Sequence, residues 1–138
     1  MVQKVLFVCV ENAGRSQMAE AFANLYGREK IRASSAGTMP SNNIHPLIVK
    51  VMLEKGIDIS KNKPKLLTTK MLQDADAVIA MGCDAKGFCP APLLKKVINW
   101  ELKNPKGKSI EKVRQIRDEI EKNVLKLISD LAKKGNGS

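Results

Sequence analysis

The chain has 138 residues, which suits one compact domain and leaves little room for a second. Hydrophobic residues make up 43% and aromatics only 4%, so the core is expected to be aliphatic, and no apolar run approaches the roughly 18 residues a membrane helix needs. The formal net charge of +10 reads as a lysine-rich solvated surface whose field attracts small anions, while the scarcity of stacking aromatics and the lack of a recognition motif argue against nucleic acid.

In chain order, residues 4–8 read as a short buried strand, apolar and β-branched. Residues 17–26 read as a helix with Met18, Ala21, Phe22 and Leu25 on one face, ended by Gly27. A second strand covers 31–35 and is closed by Ala36 and Gly37. Pro46 opens a helix whose apolar stripe is Ile48, Val51 and Met52, and Gly56 stops it. A helical turn is expected at 69–73, a third buried strand at 77–81 and a short fourth at 96–98. In the last helix Ile110, Val113, Ile116, Ile120, Val124, Leu127 and Leu131 recur every three or four residues, with Gly135 as its expected terminator.

Strands alternating with helices predict an α/β fold: a four-stranded parallel sheet flanked by helices on both faces. Ligands in such folds bind at the carboxyl ends of the strands. That rule directs attention to the loops after Val8, Ser35 and Met81. The expected organisation is a single catalytic domain over 1–134 and a flexible tail at 135–138. The start of the chain is too short and strand-like for a secretory leader, so a cytoplasmic protein with reduced cysteines is expected.

The first of those loops carries chemistry. Cys9, Val10, Glu11, Asn12, Ala13, Gly14, Arg15 and Ser16 lie between a strand and a helix. Successive backbone N–H groups there can curl into an anion-binding nest, and the helix N-terminus adds partial positive charge. Gly14 allows a tight turn and close approach of an anion, and Arg15 can close over it with a bidentate fork. That positive surrounding favours a thiolate at Cys9, and Ser16 can donate a hydrogen bond to it. A thiolate beneath a bound tetrahedral anion is arranged for in-line displacement.

The stretch V-L-F-V-C-V-E-N-A-G-R-S-Q-M-A-E-A at 5–21 resembles the start of the low-molecular-weight tyrosine phosphatase superfamily, and R-S-Q-M-A-E resembles its thioredoxin-coupled arsenate reductase branch. The likeness continues through S-A-G at 35–37, G-I-D-I-S at 56–60, D-A-D-A-V-I-A-M-G-C at 74–83, C-P at 89–90, W-E-L-K-N-P-K-G-K at 100–108 and V-R-Q-I-R-D-E-I at 113–120, so it spans nearly the whole chain. It implies a low-molecular-weight phosphatase-like fold. It also implies a catalytic set of Cys9, Arg15, Ser16, Cys83, Cys89 and position 104, with the oxyanion held by the loop from Val10 to Arg15.

Phosphate and arsenate are near-isosteric, so the first loop does not separate a phosphatase from a reductase. Cys83 and Cys89 do bear on that choice. A phosphatase needs no such thiols, whereas reduction of arsenic requires two electrons that a dithiol supplies. The alternatives for this pair are two unrelated buried thiols or a metal site, and the latter is poor without a neighbouring His or further Cys. The resemblance implies a cascade: a Cys9–arsenate adduct, then a Cys9–Cys83 disulfide, then a Cys83–Cys89 disulfide reset by an external dithiol donor such as thioredoxin. No bound cofactor is expected.

Three departures stand out. Thioredoxin-coupled relatives carry the resolving cysteine where this chain has Gly82, while other branches have a Gly-Cys pair like Gly82-Cys83. Asn104 stands where the superfamily usually has the acid that protonates the leaving group, and an amide does not donate a proton that way. That weighs against phosphomonoester hydrolysis, the second functional reading. An oxyanion-binding or redox-sensing protein with little turnover is the third. Finally, Asn12, Glu20 and Ser35 match positions that bind potassium in some arsenate reductases, but the fourth position is Lys65. No metal is expected, because that ammonium can take the place of the cation. His45, the sole histidine, reads as a turn or cap residue, and Trp100 as core or a wall of the site mouth. Lys61, Lys63, Lys65 and Lys70 read as a solvated face or a docking patch.

Overall fold

A computed structural model describes residues 2–82 and 85–136. Four parallel strands, β1 (Gln3–Cys9), β2 (Ile31–Gly37), β3 (Ala77–Met81) and β4 (Val97–Trp100), form one sheet in the order β2-β1-β3-β4. The helices are α1 (Arg15–Tyr26), α2 (Pro46–Leu53), α3 (Thr69–Asp74) and α4 (Ile110–Asn136). Short 3-10 turns at Ala85–Gly87 and Ala91–Lys96 precede β4.

The sheet is buried on both faces because β1 alternates between two cores. Val5, Phe7 and Cys9 point into a core with Met18 and Phe22 of α1, Met52 of α2 and Ile120 of α4. Leu6 and Val8 point into a second core with Leu72 of α3, Val78 and Cys89. The layered α/β sheet expected from the pattern is therefore present. β1 and β2 run in register from Gln3 opposite Ile31 to Cys9 opposite Gly37, which aligns the carboxyl ends of the central strands. α2 is tied to α4 by Glu54, whose carboxylate takes a bidentate Arg114 and a 2.7 Å bond from Arg117. Those guanidiniums, Arg114 first, pull its pKa down to about 2.

Several boundaries differ from expectation. β1 runs one residue further at each end, so Cys9 is the last residue of the strand rather than the first of the loop. α1 begins at Arg15, not Gln17, which places Arg15 and Ser16 in its first turn. Lys96 does not open β4; it ends the preceding 3-10 turn, and its ammonium bonds the carbonyls of Gln73 and Ala75 at the end of α3. Gly135 does not end α4, which continues to Asn136; one glycine costs a helix only about 1 kcal/mol. Trp100 is the last residue of β4 and packs against Phe7 with the rings tilted by 51° and 5.8 Å between centroids.

Candidate active site

The loop from β1 to α1 is built by fixing its carbonyls. The oxygen of Cys9 accepts from Thr38 N at 3.2 Å, that of Val10 from Met39 N at 2.8 Å and that of Glu11 from Ser41 N at 3.0 Å. The oxygen of Asn12 accepts from Gln17 Nε2 at 3.1 Å, that of Ala13 from His45 N at 3.1 Å and that of Gly14 from Met18 N at 3.0 Å. All peptides among the described residues are trans, and in a trans peptide the next N–H points opposite to the carbonyl. Six outward-turned carbonyls therefore aim the N–H groups of residues 10–15 toward the inside of the loop, the geometry an anion requires.

Cys9 sits at the base of this cradle, 3% exposed. Its sulfur lies 2.8 Å from Ser16 Oγ and accepts from Asn12 N at 3.2 Å. Asn12 Nδ2 donates to Ser16 Oγ at 2.7 Å and to Ser35 Oγ at 3.0 Å. Its Oδ1 accepts from Lys65 N at 2.9 Å and Gln17 Nε2 at 3.1 Å. Asn12, with φ of 53°, is the left-handed residue of the loop, a conformation that asparagine tolerates better than most. Gly14 is not left-handed; its φ is −146°. A Cβ there would press on Pro105 Cγ at 3.3 Å, so space rather than handedness calls for glycine.

Arg15 is nearly buried and donates from Nη1 to Leu102 O at 3.1 Å. Its guanidinium lies against Gly82, the residue that follows β3. Gly82 has φ of +79°, and a Cβ there would collide with that guanidinium. The left-handed backbone at 82 favours glycine, and a side chain there would require the Arg15 guanidinium to move.

Cys9, Arg15, Gly82, Asn104 and Pro105 border one cleft of about 240 Å³. Asn104 is exposed at its rim, and its Oδ1 accepts from Lys106 N at 3.0 Å. Two more residues line the cleft: Glu11, expected as part of the oxyanion loop, and His45, which sequence reasoning did not place here. Glu11 turns its side chain to the rim, where it accepts from Ser41 Oγ at 2.7 Å and lies 3.5 Å from Lys106 Nζ. His45, read as a turn or cap, does precede α2 but makes no side-chain cap bond; its ring faces the cleft, with Nε2 3.8 Å from Glu11. A larger cleft of about 660 Å³ adjoins at Gly82 and is walled by Trp100, Leu102 and Lys103.

A family profile described as "Low molecular weight phosphotyrosine protein phosphatase" matches residues 4–136. The chain belongs to this family. The glutaredoxin arsenate reductase of Synechocystis sp. is 35% identical over 133 residues, covering 95% of this chain and all of its own length. The thioredoxin-dependent arsenate reductase of Corynebacterium glutamicum is similar in structure, with a TM-score of 0.83, 37% identity and coverage of 96% of this chain and 63% of that one. So is the arginine phosphatase YwlE, solved as a cysteine-to-serine mutant with a phosphorylated active-site serine: TM-score 0.85, 27% identity, 95% of this chain and 97% of that one.

Within this phosphatase-family fold Cys89 is not gathered at Cys9. Cys89 belongs to the core on the opposite face of the sheet, where its thiol donates to Pro90 O at 3.7 Å. Burial pushes this thiol up from its ordinary value, and the nearby Lys96 ammonium opposes that. Cys83 lies outside the described residues. Behind the anion loop, Glu20 is half-buried beside Ser35 and Lys65, with Lys65 Nζ 3.7 Å from its carboxylate. Burial raises Glu20 above the usual carboxylate range, with Lys65 and Ser35 pulling the other way.

Proposed function

We propose that this protein reduces arsenate to arsenite through a Cys9 thiolate and the thiols of Cys83 and Cys89. The anion cradle over Cys9, whose carbonyls are all tied outward while sulfur accepts from Asn12 N and meets Ser16 Oγ, supplies the oxyanion site, and the likeness to arsenate reductases over nearly the whole chain carries the choice of arsenate. The N–H groups of Val10 to Arg15 would hold the oxyanion, and Arg15 would complete the ring. Cys9 would attack arsenic and expel water. Cys83 would then attack the Cys9 sulfur, and the pair of the S–As bond would pass to arsenic, which leaves as arsenite. Cys89 would attack Cys83, freeing Cys9. An external dithiol would reduce the resulting disulfide.

The relatives support a protein dithiol as that donor, since one is named for glutaredoxin and another for thioredoxin. A potassium ion does not fit behind the loop. Asn12 Oδ1 already accepts two N–H groups, and the Lys65 ammonium lies beside Glu20 where a cation would go. A reducing cytoplasm suits chemistry that needs its thiols reduced, and no helix among the described residues is long and apolar enough to cross a membrane. Phosphomonoester hydrolysis is the second reading, favoured by the structural likeness to an arginine phosphatase and disfavoured by the amide at Asn104.

The test is a single turnover of fully reduced protein with arsenate and no external reductant, with arsenite quantified and disulfides mapped by non-reducing peptide mass spectrometry. Arsenite with a Cys83–Cys89 disulfide is expected. Three reduced thiols and no arsenite would refute the cascade.

A further inference from the structure

We propose that His45 gives the proton to the oxygen that leaves when Cys9 attacks the bound oxyanion, the task that Asn104 cannot perform. This rests on the arsenate reading above and deepens it.

Expulsion of hydroxide from a tetrahedral oxyanion is slow unless the departing oxygen is protonated. That oxygen lies opposite sulfur and so faces the mouth of the cleft. Among the described residues, four that line the cleft carry ionisable side chains: Cys9, Glu11, Arg15 and His45. Cys9 is the attacking group, and a guanidinium does not surrender its proton. Glu11 is surrounded by partners that hold it as an ionised acceptor: Ser41 Oγ at 2.7 Å, Lys106 Nζ at 3.5 Å and His45 Nε2 at 3.8 Å. The imidazole remains.

His45 is held for such a part. Its N–H bonds the carbonyl of Ala13 inside the anion loop, and its own carbonyl accepts from Ile48 N at 2.9 Å in the first turn of α2. The backbone is thus fixed to both the cradle and the helix, while the ring is left out of capping and 30% exposed. The charged groups around the ring are Glu11 beside it, Lys106 beyond Glu11, and Arg15 and Cys9 across the cleft. The Glu11 carboxylate, 3.8 Å from Nε2, is the nearest anionic neighbour of the ring.

The step balances without a change of oxidation state. The S–As bond forms, the opposite As–O bond breaks, and the departing hydroxide takes the proton from His45 and leaves as water. Neutral His45 is reprotonated from solvent, and arsenic stays pentavalent until Cys83 acts.

His45 is the single histidine of the chain, so its ring signals are unambiguous in NMR. Two measurements test the proposal. In the first, inorganic phosphate is titrated into fully reduced protein, and the imidazole titration is expected to move to higher pH as the anion binds. An imidazole indifferent to phosphate would overturn the proposal. In the second, single-turnover arsenite release is followed against pH in wild type, His45→Gln, Asn104→Asp and the double variant. His45→Gln is expected to lose about 10²-fold and the alkaline limb of the profile. Adding Asn104→Asp should restore much of the rate, with a limb displaced to acid pH. If His45→Gln keeps the wild-type rate and profile, or if Asn104→Asp restores nothing, proton donation by His45 is refuted while the reductase reading stands. Wild-type protein that yields no arsenite at any pH overturns the reductase reading, and this step with it.

Discussion

Cys9 and Cys89 are both buried thiols, yet their surroundings are opposite. The sulfur of Cys9 accepts a backbone N–H, meets a hydroxyl at 2.8 Å and opens onto a cleft. That of Cys89 donates weakly to a carbonyl in the other core and is pushed toward the neutral thiol by burial. Apolar burial favours the neutral thiol at Cys89, while Cys9 already meets polar partners and the open cleft. One thiol is therefore prepared in the resting fold. The other is held back, on the far side of the sheet, until the chain around it rearranges or an intermediary reaches it.

The largest effect should come from exchanging sulfur for oxygen at each end of that contrast. Cys9→Ser is expected to abolish arsenite release altogether. Cys89→Ser should still release arsenite in a single turnover, but leave a Cys9–Cys83 disulfide that mass spectrometry detects. Equal loss in both variants would erase the distinction between them.

Gly82 joins the two regions, since it supports the Arg15 guanidinium and directly precedes Cys83. Gly82→Ala is expected to displace Arg15 and cost about 10²–10³-fold in kcat, the scale for losing an oxyanion-stabilising donor. Phosphate affinity should fall in parallel, while the melting temperature serves as the control for folding. A smaller effect is expected at Ser16. Removing a bond to a charged group costs about 1.5–3 kcal/mol, so Ser16→Ala should slow adduct formation by roughly 10- to 150-fold. Rapid-quench measurement of the first arsenite released checks this. Cys89 alkylation should not change in that variant.

What could be read from sequence follows the same division. The pairing of Cys9 with Arg15 and Ser16 is local: a strand end, a loop and the first turn of a helix lie within eight residues, so spacing alone brings them together. The helical periodicity of α4 was equally legible, because its stripe is continuous. The contacts that complete the site are not local. Leu102 O on Arg15, His45 on Glu11, and Gly82 under the guanidinium join segments 34 to 87 positions apart. No periodicity records them. His45 is the N-cap residue of α2, as its place before Pro46 implied, and only the fold shows that its side chain makes no cap bond and lines the cleft. The helix end at Gly135 was misjudged because a lone glycine lowers helix stability by less than the preceding turns supply.

The smallest effect separates the two thiols by pH. At any pH near neutrality, the raised Cys89 leaves a smaller thiolate fraction than an ordinary cysteine would have, so iodoacetamide should modify Cys9 first and Cys89 late. The Cys89 rate should climb only as pH rises above the ordinary thiol range. Lys96 opposes the effect of burial, so Lys96→Met is expected to depress that rate further at each pH. The sign for stability agrees. A thiol raised in the folded state binds its proton more tightly there than in the unfolded chain, so its contribution is complete below the unfolded value and is lost as pH rises through the folded one. Loss of the α3 carbonyl bonds in Lys96→Met will lower the melting temperature at all pH values, whereas the thiol contribution fades only on the alkaline side. Peptide-level alkylation rates across pH, in wild type and Lys96→Met, separate the two; a Cys89 that reacts as fast as Cys9 at neutral pH would show that the second thiol is prepared as well.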